Sequence, residues 1–273
     1  LQTSLIIGTS RSAQGILPHI LNKELGRNDI YNYSFTVSHS PYGPVYLKSI
    51  EQKLQKNSKN GLFILAVDPW SISSTGANPN DESSFNENDL FLADLRSVTL
   101  NPNFEYLIKY YDDNYFSLIY NHKKKTFLHE NGWLEVNVNI ENKKSIDNST
   151  KNKIEEYRKD NLPRYKFSKK RFEYLKYTIE RLKSHGMVYL VRLPIHSEMM
   201  EIEDKLMPDF NLKLQDLATI AKVEFLDLTP INSTFEYTDG NHLYKTSGKQ
   251  VTKILADWIK KTDQEKSLSI TGK

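Results

Sequence analysis

Five short apolar, β-rich runs constrain this chain more than any other feature: Ser4 to Ile7, Asp29 to Phe35, Leu62 to Val67, Met187 to Leu193 and Val223 to Leu228. Runs of this length read as buried strands, and segments with helical spacing separate them. Tyr46 to Lys56 puts Leu47, Ile50 and Leu54 on one face. Lys170 to His185 does the same with Phe172, Leu175, Ile179 and Leu182, and stops at Gly186. A last helix, from about Tyr244 to Lys261, carries Val251, Ile254, Leu255, Trp258 and Ile259 at core spacing. This alternation predicts an α/β fold, a five-stranded parallel sheet with helices on both faces and right-handed crossovers.

One connection breaks the rhythm. From Ser71 to Ser168 the chain runs far beyond the few residues usual between such elements. We therefore expect one α/β domain over residues 1–273 with an insertion at 71–168, a lid or subdomain at the carboxyl edge of the sheet. Within it, Ser73 to Asn88 reads as loop and Phe104 to Tyr111 as helix. Phe116 to Val138, with Asn121 and Gly132 as turn residues, reads as one or two hairpins, and Asn139 to Lys153 as a polar, mobile stretch.

Composition removes several functional classes. With 37 basic and 34 acidic residues the charge is nearly balanced, which does not mark a nucleic-acid binder. The run Lys123 to Lys125 is a solvated turn, and the tyrosines are not interleaved with it as a stacking platform requires. The absence of cysteine excludes disulfides, thiolate catalysis and cysteine-held metals. The seven histidines have no compact metal spacing, so neither metal nor cofactor is expected. No apolar stretch approaches the roughly 20 residues of a membrane span. The chain begins at Leu1 rather than Met, one step from its first strand, from which we expect a removed start with a secretory or anchoring segment.

Two motifs carry chemistry. In "SLIIGTSRSAQGI", the turn Gly8-Thr9-Ser10-Arg11 joins the first strand to a helix that Ser12 can open. Such a turn lies at the carboxyl end of a strand, where ligands of open α/β sheets bind. Ser10 is a nucleophile, an anion-loop residue or a helix N-cap. In "FEYTDGNHLYKTSGKQV", Asp239-Gly240-Asn241-His242 falls between the fifth strand and the last helix, on the same edge. A serine hydroxyl needs an imidazole to accept its proton, and the imidazole needs a carboxylate to fix its tautomer. The α/β-hydrolase elbow Gly-x-Ser-x-Gly is excluded because Ser12 stands where its second glycine belongs.

With these motifs the chain resembles the SGNH/GDSL hydrolase superfamily, whose nucleophile motif is similar to Gly8-Thr9-Ser10 and whose Asp-x-x-His motif matches Asp239 to His242. The resemblance covers most of the chain outside the insertion. It implies a three-layer flavodoxin-like fold, with Ser10 as nucleophile, His242 as general base and acid, and Asp239 as the orienting carboxylate. The middle motifs depart. Thr36-Val37-Ser38 lacks the family glycine, so the second oxyanion donor would be a backbone N–H of Val37 or Ser38. Val67-Asp68-Pro69-Trp70-Ser71 replaces the family Gly-x-Asn-Asp block. This divergence looks like the branch acting on bacterial surface polysaccharides, including alginate-type O-acetyltransferases and proteins of teichoic-acid D-alanylation. It implies an acylated carbohydrate or small ester as substrate, a periplasmic or cell-surface location, and membrane-associated partners.

Further residues fall on the same edge, each with a plainer alternative. Arg11 binds a substrate anion or forms a surface ion pair. Arg192 lines the pocket or is paired within its strand. His196 lines the pocket or starts a helix. Trp70 stacks on a sugar, replaces the missing asparagine as donor, or packs in the core, while Asp68 braces its loop. Two rivals to the enzyme remain: a catalytically silent glycan-binding or scaffold protein, and a phosphate binder using Gly8 to Ser12 as an anion nest.

Overall fold

The structure, a computed structural model, describes residues 1–99 and 126–271. In chain order the elements are β1 (Ser4–Ile7), α1 (Ser10–Gly15), α2 (Pro18–Leu25), β2 (Ile30–Asn32), α3 (Pro44–Lys53), β3 (Gly61–Ala66), β4 (Ser73–Ser74) and α4 (Phe91–Asp94). After residue 125 follow β5 (Thr126–Leu128), β6 (Leu134–Val136), α5 (Lys143–Glu156), β7 (Lys166–Phe167), α6 (Lys169–Lys183), β8 (Gly186–Arg192), α7 (Ser197–Leu206), α8 (Phe210–Ala221), β9 (Glu224–Asp227) and α9 (Lys245–Thr271).

The five predicted strands form one parallel sheet in the order β2-β1-β3-β8-β9, each within a few residues of its expected bounds. This is the strand order of flavodoxin-like sheets, and the chain reverses direction across the sheet between β1 and β3. Alternate strand residues serve opposite faces. Leu5, Ile7, Phe63, Leu65, Val188 and Leu190 pack against Ile50 of α3, Leu175 and Ile179 of α6 and Leu214 of α8. Ile6, Ile64, Tyr189 and Val191 pack against Leu21 of α2 and Val251, Leu255 and Ile259 of α9. Both faces are thus apolar, which explains why the strands read as continuous hydrophobic runs.

The long connection between β3 and β8 begins and ends at one place, because β4 pairs antiparallel with β7 beside the end of β3. Its first part is pinned by Glu87, fully buried, whose carboxylate takes Arg171 Nη1 at 2.8 Å and Nη2 at 3.0 Å. The hairpin β5–β6 turns through Gly132 at φ +82°. It closes the sheet edge by accepting the Asn32 N–H at Asn131 O, 2.8 Å away, and Trp133 Nε1 donates to Gln14 O at 3.0 Å. The stretch Asn139 to Lys153, expected to be mobile, is instead mostly helix α5. Asn142 caps it by accepting the Ser145 N–H at 3.1 Å, and Ile154 anchors it in a cluster with Trp70, Tyr157, Ile195, Met199 and Ile202. The expected helix Phe104 to Tyr111, the turn at Asn121 and the run Lys123 to Lys125 lie outside the described residues.

Gly8 lets the turn after β1 lie flat on β3. A Cβ there would meet Ala66 Cβ at 2.9 Å and its carbonyl oxygen at 3.0 Å, besides colliding with Ser12 Oγ. Gly8→Ala is therefore expected to cost about 1–3 kcal/mol by overpacking. A urea titration should show a lower midpoint with an unchanged m-value.

Candidate active site

Ser10 is the first residue of α1, with Thr9 as its N-cap. At that position its own N–H has no intrahelical acceptor. Ser10 Oγ lies 2.9 Å from His242 Nε2, although 232 residues separate the two in sequence. His242 Nδ1 lies 2.9 and 3.1 Å from the two oxygens of Asp239. The Asp239 carboxylate only accepts, so the hydrogen-bond network puts the imidazole proton on Nδ1 and leaves Nε2 to accept from the Ser10 hydroxyl.

The loop is shaped for this contact. Gly240 adopts φ +78°, and Asp239 Oδ1 accepts the backbone N–H groups of Asn241 at 3.0 Å and His242 at 2.9 Å. Thr238 N–H closes the loop onto the His242 carbonyl at 2.9 Å. Burial pushes the Asp239 carboxyl up, but the His242 bond and charge with the two N–H donors outweigh it and leave the group below its ordinary value.

Behind the triad sits a buried charge cluster. Glu203 of α7, with no exposed surface, accepts Arg11 Nη1 at 2.6 Å and Arg192 Nη2 at 2.9 Å. Arg11 Nε and Nη2 also donate to Asn241 Oδ1 at 2.9 and 2.6 Å, and Nη1 lies 3.9 Å from Asp68 Oδ2. Burial works against the Arg11 charge, but Glu203 and Asp68 more than offset it and hold the guanidinium charged. Burial first, with Glu203 adding, raises Asp68 above the ordinary carboxylate range against the pull of Arg11.

These contacts decide between the alternatives that the sequence left open and replace both readings of Arg11. Arg11 is neither a surface ion pair nor an anion ligand but a buried tie, because all its strong contacts are internal. Arg192 is 3% exposed and paired at the end of its strand. It is spent on Glu203 and on Asn211 Oδ1 at 2.9 Å. Trp70 is core, 1% exposed and edge-on to Tyr157 and Tyr165, so it offers no platform to a sugar. Asp68 braces its loop by accepting the Ser71 N–H at 2.8 Å and the Thr9 hydroxyl at 3.1 Å.

Val37 and Ser38 follow β2 on the correct edge, since the Phe35 N–H donates to the Gly8 carbonyl at 3.1 Å and sets the next residues beside the Ser10 turn. Asn86 Nδ2 steadies that turn at the Ser38 carbonyl, 3.0 Å away. His196 caps α7, its Nδ1 accepting the Glu198 N–H at 3.4 Å. It also lines a cavity of about 590 Å³ with Ile146, Thr150, Ile154, Phe235 and Tyr237. None of the triad residues lines that cavity. It lies behind the Asp239 loop, where a Cβ on Gly240 would come 3.1 Å from Thr150 Cγ2 and 3.6 Å from His196 Cβ.

Sequence reasoning assigned no role to Asn241 or Glu203. Asn241 stood inside a recognised motif, whereas Glu203 is one of several acidic residues on an amphipathic helix and gave no signal. Comparison with models of known protein families finds no match to this chain, and no curated protein matches it.

Two outcomes follow from the charges. Glu203→Ala leaves two buried guanidiniums without their shared partner and should cost about 3–5 kcal/mol in urea unfolding at neutral pH. For Asp239, a carboxyl depressed in the folded state adds stability above its unfolded pKa of about 3.9 and loses it as pH falls through the lower folded value. Asp239→Asn should therefore lower the melting temperature most at neutral pH, with the difference from the parent closing in acid.

Proposed function

We propose that this chain is a serine esterase or acyltransferase of the SGNH/GDSL kind, acting through an acyl-enzyme on an O-acylated cell-surface glycan. The observation that carries the reading is the unbroken chain from Ser10 Oγ through His242 to Asp239, assembled from opposite ends of the sequence at the carboxyl edge of a parallel sheet. A hydroxyl, an imidazole and a depressed carboxylate in that order are the parts that nucleophilic acyl transfer requires.

In this mechanism Ser10 Oγ bonds to the acyl carbon as its proton passes to His242 Nε2. Asp239 stabilises the imidazolium formed. The carbonyl electrons move to oxygen, which the Ser10 N–H and a backbone donor of the Val37 and Ser38 turn receive. Collapse of this intermediate breaks the ester bond, and the departing alkoxide takes the proton from Nε2. Water or a sugar hydroxyl then attacks the acyl-enzyme by the same steps in reverse and frees Ser10. The long connection acts as a lid, with Trp133 held on α1 on one side and Ile154 of α5 behind the Asp239 loop on the other.

One observation favours a silent glycan-binding protein instead, namely that the cavity of about 590 Å³ beside His196 lies off the triad. A single experiment separates the two. Exposure to a fluorophosphonate should add one adduct to the intact mass, absent in Ser10→Ala and strongly slowed in His242→Ala, with Ser10-dependent hydrolysis of p-nitrophenyl acetate alongside. A folded parent that takes no adduct and shows no turnover overturns the esterase reading and selects the silent one.

A further inference from the structure

Ser10 and Arg11 are neighbours, as are Asn241 and His242. Their side chains pair as two adjacent rungs between the first turn and the last loop: Ser10 with His242 at 2.9 Å, and Arg11 with Asn241 at 2.9 and 2.6 Å. The second rung fixes which way the Asn241 amide faces. A guanidinium only donates, so the atom it grips from two nitrogens is the oxygen, and the NH₂ group is turned to the other side. There Nδ2 lies 3.4 Å from His242 Nε2, the nitrogen that Ser10 Oγ also meets.

We infer that Asn241 donates through Nδ2 to the oxyanion of the tetrahedral intermediate on Ser10, and that Arg11 is the positioning residue that aims it. The inference rests on the serine-esterase reading and adds to it a side-chain donor. Among the described residues, His242 Nε2 is the only partner of Nδ2, and at 3.4 Å that contact is long for a hydrogen bond. Asn241 is 4% exposed, so solvent does not use up the remaining donor capacity. The amide is also rigid: its oxygen is held by Arg11, Arg11 by Glu203, and its backbone N–H by Asp239. Donors fixed in advance and shielded from water are the kind that lower a barrier.

The chemistry supplies the timing. In the resting state the Nε2 lone pair accepts from Ser10 and attracts the Asn241 N–H. As the Ser10 Oγ–carbon bond forms, Nε2 takes the proton and stops being an acceptor. The Asn241 N–H is released as negative charge appears on the acyl oxygen, and the bond it then makes exists in the transition state and not before. When the leaving alkoxide removes the proton from Nε2, the resting contact is restored.

The test uses p-nitrophenyl acetate with the full chain. Asn241→Asp keeps an oxygen for Arg11 and removes the donor, Asn241→Ala removes both without adding charge, and Arg11→Lys keeps the charge opposite Glu203 but loses the two-pronged grip. We expect both Asn241 variants to lower kcat by about 10²–10³ with KM near the parent. Asn241→Asp should retain the parent melting temperature, and Asn241→Ala the parent pH profile. Arg11→Lys should lower kcat in the parent background but add little loss to Asn241→Ala, as expected of residues acting through one donor. Parent-like kcat in either Asn241 variant, with Ser10-dependent turnover intact, overturns the inference and leaves the esterase reading standing. Absence of a Ser10 adduct and of Ser10-dependent turnover in the parent overturns both.

Discussion

The arrangement turns on one carboxylate. Glu203 lies on α7 and belongs to neither motif, yet it holds Arg11 from the turn after β1 and Arg192 from the end of β8. Through Arg11 it also fixes the loop that carries Asp239 and His242. Burying such charges costs several kcal/mol per ion before their attraction is counted, and an apolar cluster of the same volume would stabilise the fold as well or better. What apolar packing lacks is direction. Four chain segments meet at the carboxyl edge, and fixed-angle bonds from guanidinium to carboxylate and amide set their mutual positions. Asp68 shows the strain of the design, since burial next to Glu203 raises its pKa although Arg11 lies 3.9 Å away.

The strand order explains why distant parts of the chain can meet there. β1 lies between β2 and β3, and the chain leaves it first toward β2 and then returns to β3 on its other side, which opens a crevice at the end of β1. α9 packs over α2 and places its first turn beside α1. The Leu17 N–H donates to Thr252 Oγ1 at 3.1 Å, and Thr252 Oγ1 in turn donates to the Gly248 carbonyl at 2.7 Å. The loop preceding α9 is thereby delivered to the end of β1. The contact between Ser10 and His242 follows from how helices cover one face of the sheet.

Much of this was legible in residue order, and what was not has physical reasons. Strands buried on both faces leave unbroken apolar runs, so all five appeared, as did the amphipathic α6 and the core face of α9, which runs ten residues past its expected end. α5 did not, because a helix anchored mainly by Ile154 near its end has no apolar stripe to read. Ser10, Asp239 and His242 were visible as two short motifs because the proposed acyl transfer restricts residue type at fixed spacing. The role of Arg11 was not, because exposed and buried arginines look alike in sequence, and burial depends on a partner 192 residues away. Trp70 stayed undecided for a similar reason. An aromatic at the end of a strand serves a ligand or a core, and Tyr157 and Tyr165, which decide between them, come from the far end of the long connection.

That connection is tied to both motifs. On one side Trp133 donates to the Gln14 carbonyl of α1, and on the other Thr150 and Ile154 of α5 lie against the Gly240 turn. Between them, Lys245 at the start of α9 is held by Glu135 at 3.2 Å and Asn137 at 2.9 Å, so the chain from β6 to α5 passes around the loop bearing Asp239 and His242. A segment gripped at these points cannot shift as a body without pulling on the turn that carries Ser10 or on the loop that carries His242. On the reading proposed above, the lid and the triad are one mechanical unit, and closure over a substrate would register directly in the distance from Ser10 to His242.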